Sequence, residues 1–108
     1  MTPTLPQIAA AVERVYSVTL AQLRRLEKTE NVSEARQVAM FLARERTTET
    51  WEAIGTFFER DRTTVHHAHR AIFERKVEDR KLRQTIEALA LALDGLRHLS
   101  PPVALGDA

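Results

Sequence analysis

The stretch Asp61–His69, DRTTVHHAH, decides how the rest of the chain is read. At roughly 100° per residue around a helix, Val65, Ala68 and Ile72 fall on one side, and Thr63, His66, His67 and Arg70 on the other. The first group can enter a core, and the second must face outward. Asp61 stands where a carboxylate accepts hydrogen bonds from the free amide hydrogens of a first helical turn. The spacing therefore predicts a helix from Arg62 to about Lys76, opened by Asp61.

Working outward, Thr50 caps a preceding helix that carries Trp51, Ile54, Phe57 and Phe58, and Glu59, Arg60 and Asp61 turn the chain between the two. Before that pair, a first helix is expected after Pro6, with Ile8, Ala11, Val12 and Val15 at helical spacing. Tyr16 to Thr19 break it, and Leu20, Leu23 and Leu26 suit a short second helix. Thr29, Asn31 and Ser33 mark the next boundary. Ser33 is the expected N-cap of a helix running to about Arg46, with Glu34 in its first turn and Ala35, Val38, Phe41 and Leu42 as its buried stripe. A long last helix, from about Glu78 to Leu96, spaces Leu82, Ile86, Leu89, Leu93 and Leu96 by threes and fours, so it packs on the body or on a second copy, and Ser100, Pro101 and Pro102 end it.

The expected fold is all-α: a compact helical domain containing a helix-turn-helix, with a long C-terminal helix. Its 108 residues, 44% of them apolar, suffice for one modest core. Residues 1–99 are read as that single domain and 100–108 as a flexible tail. The absence of cysteine excludes disulfides and thiolate-based metal or redox chemistry. No basic start precedes an apolar run, and no segment approaches the roughly 18 apolar residues of a membrane span. The expectation is a cytoplasmic, nucleoid-associated protein with no membrane partner.

Sixteen basic residues against fifteen acidic ones leave a net charge of +1, short of the basic excess of many nucleic-acid binders. The distribution is less even: Glu59 to Arg83 holds eight basic and five acidic residues and three of the four histidines. A local basic face is compatible with a near-neutral total.

The segment from Thr50 to about Arg75 fits a helix-turn-helix, whose second helix lies in the major groove of DNA and offers its N-terminal residues to base edges. Thr63 and Thr64 are short hydroxyl side chains suited to a base edge or a thymine methyl, and His67 can donate or accept at the groove floor. Arg62 and His66 share that exposed start, and Arg70, further along, suits a phosphate. A metal site at His66, His67 and His69 lacks the converging partners it needs, and His69 reads better as packed at the core edge. Trp51, Phe57 and Phe58 read as core. No nucleophile–base pair, catalytic carboxylate pair or cofactor loop is evident, so no enzyme activity, catalytic residue, metal or cofactor is expected.

The stretch SEARQVAMFLARERTTETWEAIGTFFERDRTTVHHAHRAI, Ser33 to Ile72, resembles the C-terminal DNA-binding domain of the bacterial replication initiator DnaA family. The likeness rests on the Ala-Arg-Gln-Val-Ala-Met run, the Ile54–Gly55 pair and RDRTTVHHAH. It extends more weakly to about Ala10 upstream and about Leu93 downstream. It implies a partner, double-stranded DNA, read at an asymmetric box in regulation of replication initiation or transcription. By position it implies Asp61, Thr63, Thr64 and His67 as base readers, Lys28 at the adjacent minor groove, and Arg36 on phosphate together with Arg60 or Arg70.

The chain departs from the family's pattern at three places. Arg62 stands where His is usual, Glu59 and one residue fewer replace a Gly-Gly pair, and Lys28 stands for an arginine whose planar fork it lacks. Nothing of the form GxxxxGK[ST] occurs, so no nucleotide partner is expected, and the resemblance implies a reading head standing without the ATPase module. The competing expectation is a helical interaction module that forms a homodimer through the leucine stripe of its last helix.

Overall fold

The computed structural model describes residues 2–25 and 29–99, the side chains of 96–99 excepted. Among the described residues six helices follow one another: α1 (Leu5–Tyr16), α2 (Leu20–Arg24), α3 (Glu30–Arg46), α4 (Trp51–Phe58), α5 (Arg62–Glu78) and α6 (Arg80–Leu99). No strand occurs among the described residues, so the all-α reading stands. The expected tail at 100–108, Lys28, Leu26 and the side chain of Leu96 lie outside the described residues.

Polar residues set the helix starts. Thr4 opens α1 with a reciprocal capping box: the Gln7 amide donates to Thr4 Oγ1 at 3.2 Å, and the Thr4 amide donates to Gln7 Oε1 at 2.9 Å. The helix therefore starts at Leu5 and absorbs Pro6, whose missing N–H would be unpaired in a first turn anyway. Thr19 and Gln22 repeat the device at α2. Between them Ser17 takes a left-handed conformation, φ 56°, that breaks the chain as the sequence suggests.

Besides that earlier start of α1, two further helix starts differ from the sequence reading. Ser33 does not cap α3, because the helix begins a turn earlier at Glu30. Val32 is buried there, Asn31 Nδ2 donates to the Tyr16 carbonyl at 2.9 Å, and the Ser33 amide already makes a helical bond to Thr29 O. Tertiary docking of this turn overrides the local cap signal. The last helix opens at Arg80, with the Leu82 amide donating to Asp79 Oδ1 at 2.9 Å.

Helix α3 is central and packs on each of the other five. Ile8, Val12, Leu23, Met40, Ile54, Phe58, Val65, Ile72 and Leu89 are fully buried in one cluster, each contributing roughly 1.5–3 kcal/mol by leaving water. Val15 is a correction: it is 50% exposed, beyond the edge of the α1 stripe. The leucine stripe packs on the body of the chain, one of the two places the sequence allows it. Leu82, Ile86, Leu89 and Leu93 are buried in this chain's own core and are not offered to a second copy.

A polar network crosses the far side of the bundle. The Tyr16 hydroxyl donates to Glu34 Oε2 at 2.7 Å, while Arg75 Nη2 donates to Glu34 Oε1 and to Asp79 Oδ2, each at 3.1 Å. It links α1, α3, α5 and the start of α6. Burial, reinforced by the Glu34 carboxylate, pushes the Tyr16 hydroxyl far above its ordinary range.

Candidate nucleic-acid interface

The junction of α4 and α5 is built from backbone. Glu59 takes the left-handed conformation at φ 59°, and the Arg60 amide donates back to Gly55 O at 2.7 Å, closing α4 as a Schellman-type end. The approach is so close that a Cβ on Gly55 would stand 2.4 Å from the Arg60 carbonyl oxygen. Glycine is required there by space. One residue later Asp61 caps α5, its Oδ1 accepting from the Thr64 amide at 2.8 Å, and that bond holds its carboxyl below the usual range.

This geometry fixes the rotation of α5 about its axis. Val65, Ala68 and Ile72 are buried, whereas Arg62, Thr63, His66, His67 and Arg70 are exposed and Thr64 lies at the edge. The wheel drawn from the sequence is the one the structure adopts. Arg62 has no side-chain partner among the described residues, and Arg70 meets only Glu74, at 3.4 Å on an exposed surface where such a pair is weak.

The three histidines diverge. His66 stacks on Trp51 with ring centres 3.8 Å apart, and the Arg44 guanidinium lies 4.2 Å from the centre of the same indole. His67 faces an open groove of about 350 Å³ that Thr64, Ser33, Gln37, Arg36 and Arg60 also line. His69 lies at the core edge, as the sequence reading has it, stacked on Phe41 and within 2.7 Å of Glu45 Oε2. Trp51 and Phe57 pack against the core, and Phe58 is inside it.

Ser33 and Gln37 were missed in the sequence. Their signal was available: two polar residues four apart on α3, outside its buried stripe.

Arg36 and Arg60, expected at phosphates, have their N–H groups turned onto main-chain carbonyls. Arg36 donates to Leu23 O at 2.7 Å, Gln22 O at 3.2 Å and Arg25 O at 2.8 Å. Arg60 donates to Arg24 O at 2.9 Å, to the Phe58 and Glu59 carbonyls, and to Arg25 O. Arg24 in turn donates to Phe57 O at 2.8 Å. These carbonyls lie at the ends of α2 and α4, where a helix runs out of its own amides, although Gln22 O also accepts from the Arg25 amide at 3.3 Å. Three guanidiniums thus satisfy two helix ends and bind them together.

A bracing helix, a turn closed on glycine, and a capped second helix with an exposed polar start define a helix-turn-helix domain. The particular family follows from comparison with known proteins: the chain belongs to the family described as bacterial dnaA protein helix-turn-helix, whose profile matches residues 5–72. It is 41% identical over 86 residues to the chromosomal replication initiator protein DnaA of Streptococcus uberis, and equally to that of Streptococcus pyogenes serotype M5. Each match covers 79% of this chain and 19% of the relative, so the chain spans about a fifth of the length of these curated relatives.

Proposed function

We propose that this chain binds double-stranded DNA sequence-specifically at DnaA-box-like sites, with the first turns of α5 in the major groove, and so regulates replication initiation or transcription. The observation that carries this reading is the rotation of α5, which buries Val65, Ala68 and Ile72 and leaves Arg62, Thr63, His66 and His67 facing out beside a basic groove. Thr63, Thr64, His67 and Asp61 are the base readers, Asp61 through the oxygen that does not cap the helix. Arg62 and His66 border them, and Arg70, Ser33 and Gln37 take phosphates. Arg36 and Arg60 lend positive charge to the groove while their N–H groups hold the main chain. Lys28 is the minor-groove contact. The site of action is the nucleoid, in the cytoplasm.

The interaction-module reading is not favoured, since its leucine stripe is buried within the chain. Selection of bound duplexes from a random pool, at stated salt, tests the proposal by yielding a preferred box. On that box His67→Ala or Thr64→Ala weakens binding by about 1–3 kcal/mol, with little change on unrelated duplexes. Retention of parental affinity by both variants on every duplex would remove the base-reading assignment.

A further inference from the structure

The end of α2 touches the start of α5 through arginine side chains, and this arrangement isolates one charge. Arg24, Arg36 and Arg60 each donate to main-chain carbonyls. Arg25 is gripped through its own carbonyl by both Arg36 and Arg60, yet its side chain is exposed and has no partner among the described residues. A surface arginine on an unrestrained chain end would lose much of its attraction for an anion in the entropy of holding its position. Here the main chain of Arg25 is held by guanidiniums from two directions, one of them attached to the residue that immediately precedes the α5 cap.

We propose that Arg25 contacts a phosphate of the DNA backbone, and that Arg60, acting with Arg36, is the positioning residue that keeps Arg25 in register with α5. The proposal rests on the DNA-binding reading above and names a contact beyond it. Its physical content is that the clasp places a free guanidinium within one arginine side chain of the recognition helix. The phosphate that Arg25 takes is then fixed relative to the bases that α5 reads. The net charge of +1 makes such placement consequential, because the chain has little general positive field to attract the duplex.

The test is duplex affinity of the full chain as a function of salt, on the selected box and on a random duplex. Arg25→Gln lowers affinity roughly tenfold on both, as loss of a charge-assisted contact does. It also reduces the slope of log affinity against log salt by about 0.9, the contribution of one phosphate. Arg60→Lys preserves total charge and keeps the Arg25 side chain itself but not the grip on its carbonyl, so it produces the same fall in slope, and the double variant loses no more than either single one. Arg36→Lys, with helicity checked by circular dichroism, serves as the second clasp variant if Arg60→Lys unfolds.

A slope and affinity unchanged in Arg25→Gln overturn the contact. Losses that add in the double variant overturn the positioning role. A parent chain that binds no duplex removes the DNA-binding reading itself, whereas a binding parent with an indifferent Arg25→Gln removes this inference alone.

Discussion

Helix α5 treats its two ends differently. In its first two turns Arg62, Thr63 and His67 are exposed, and the Arg62 guanidinium has no partner among the described residues. In its last two turns Arg75 bridges Glu34 and Asp79, and the carbonyls of Lys76 and Val77 accept from Arg83 Nη1 at 2.8 and 3.1 Å. Both ends belong to one continuous helix, so the difference in how their side chains are engaged comes from their surroundings. The far end is tied to α6 and to the Tyr16–Glu34 pair, which engage Arg75 and the last carbonyls from within the chain while most of its side chains stay exposed. The near end is held by backbone through Gly55 and Asp61, which leaves its side chains available to an outside partner.

The largest effect should come from disturbing the near end's backbone. Gly55→Ala places a methyl group 2.4 Å from a carbonyl oxygen that cannot swing aside as a side chain could. The variant should lose about 3 kcal/mol of stability, read as a lower urea midpoint at an unchanged denaturant slope, and its duplex binding should fall with the displaced helix. A variant within about 0.5 kcal/mol of the parent would mean that the turn has room to relax, and that its tightness does not orient α5.

At the far end the same logic predicts a smaller loss without functional cost. Tyr16→Phe removes a hydroxyl that donates to Glu34 but leaves Arg75 on that carboxylate. Stability should fall by about 1 kcal/mol, with duplex affinity and its salt dependence unmoved. Equal damage to binding and stability would erase the distinction between the two ends.

Protonation probes both ends at once. Asp61 at the near end and Asp79 at the far end each have carboxyls held below their ordinary value, first by the backbone amides of Thr64 and Leu82 respectively. A lowered folded value means stabilisation that is present above the unfolded carboxylate range, about 3.9, and lost as pH falls through the lower folded values. Tyr16 is raised, so its contribution is complete below about 10 and lost as pH climbs beyond. Thermal unfolding against pH should therefore fall off on both flanks, and Tyr16→Phe should flatten the alkaline flank alone. An alkaline flank unchanged in that variant would relieve the Tyr16 hydroxyl of this role.

The near end was largely legible in the sequence, because its signals are local: Thr50 and Asp61 cap the two helices, and three apolar residues at helical spacing set which face is buried. Ser33 misled because its cap signal is just as local, while the earlier start of α3 depends on Val32 and Asn31 meeting α1. The leucine stripe showed that α6 buries a face without showing against what. Least legible was the arginine clasp. Arg60 and Arg25 lie 35 residues apart, and a guanidinium turned toward carbonyls looks, in one dimension, like one turned toward phosphate.

The smallest effect lies in the turn. Glu59 occupies a left-handed conformation that costs a residue bearing a Cβ about 1 kcal/mol. Glycine would escape that cost but lose more freedom on folding, so Glu59→Gly should gain a net of roughly 0.5 kcal/mol. The substitution also removes a carboxylate 3.9 Å from Arg24 Nε, an exposed pair worth little to stability, while taking a negative charge away from the proposed DNA face. Binding to all duplexes should tighten slightly. A Glu59→Gly chain that is less stable than the parent would mean that the Glu59–Arg24 pair secures α2 more firmly than its length suggests, so that the near end too would depend on a side-chain ion pair as the far end does.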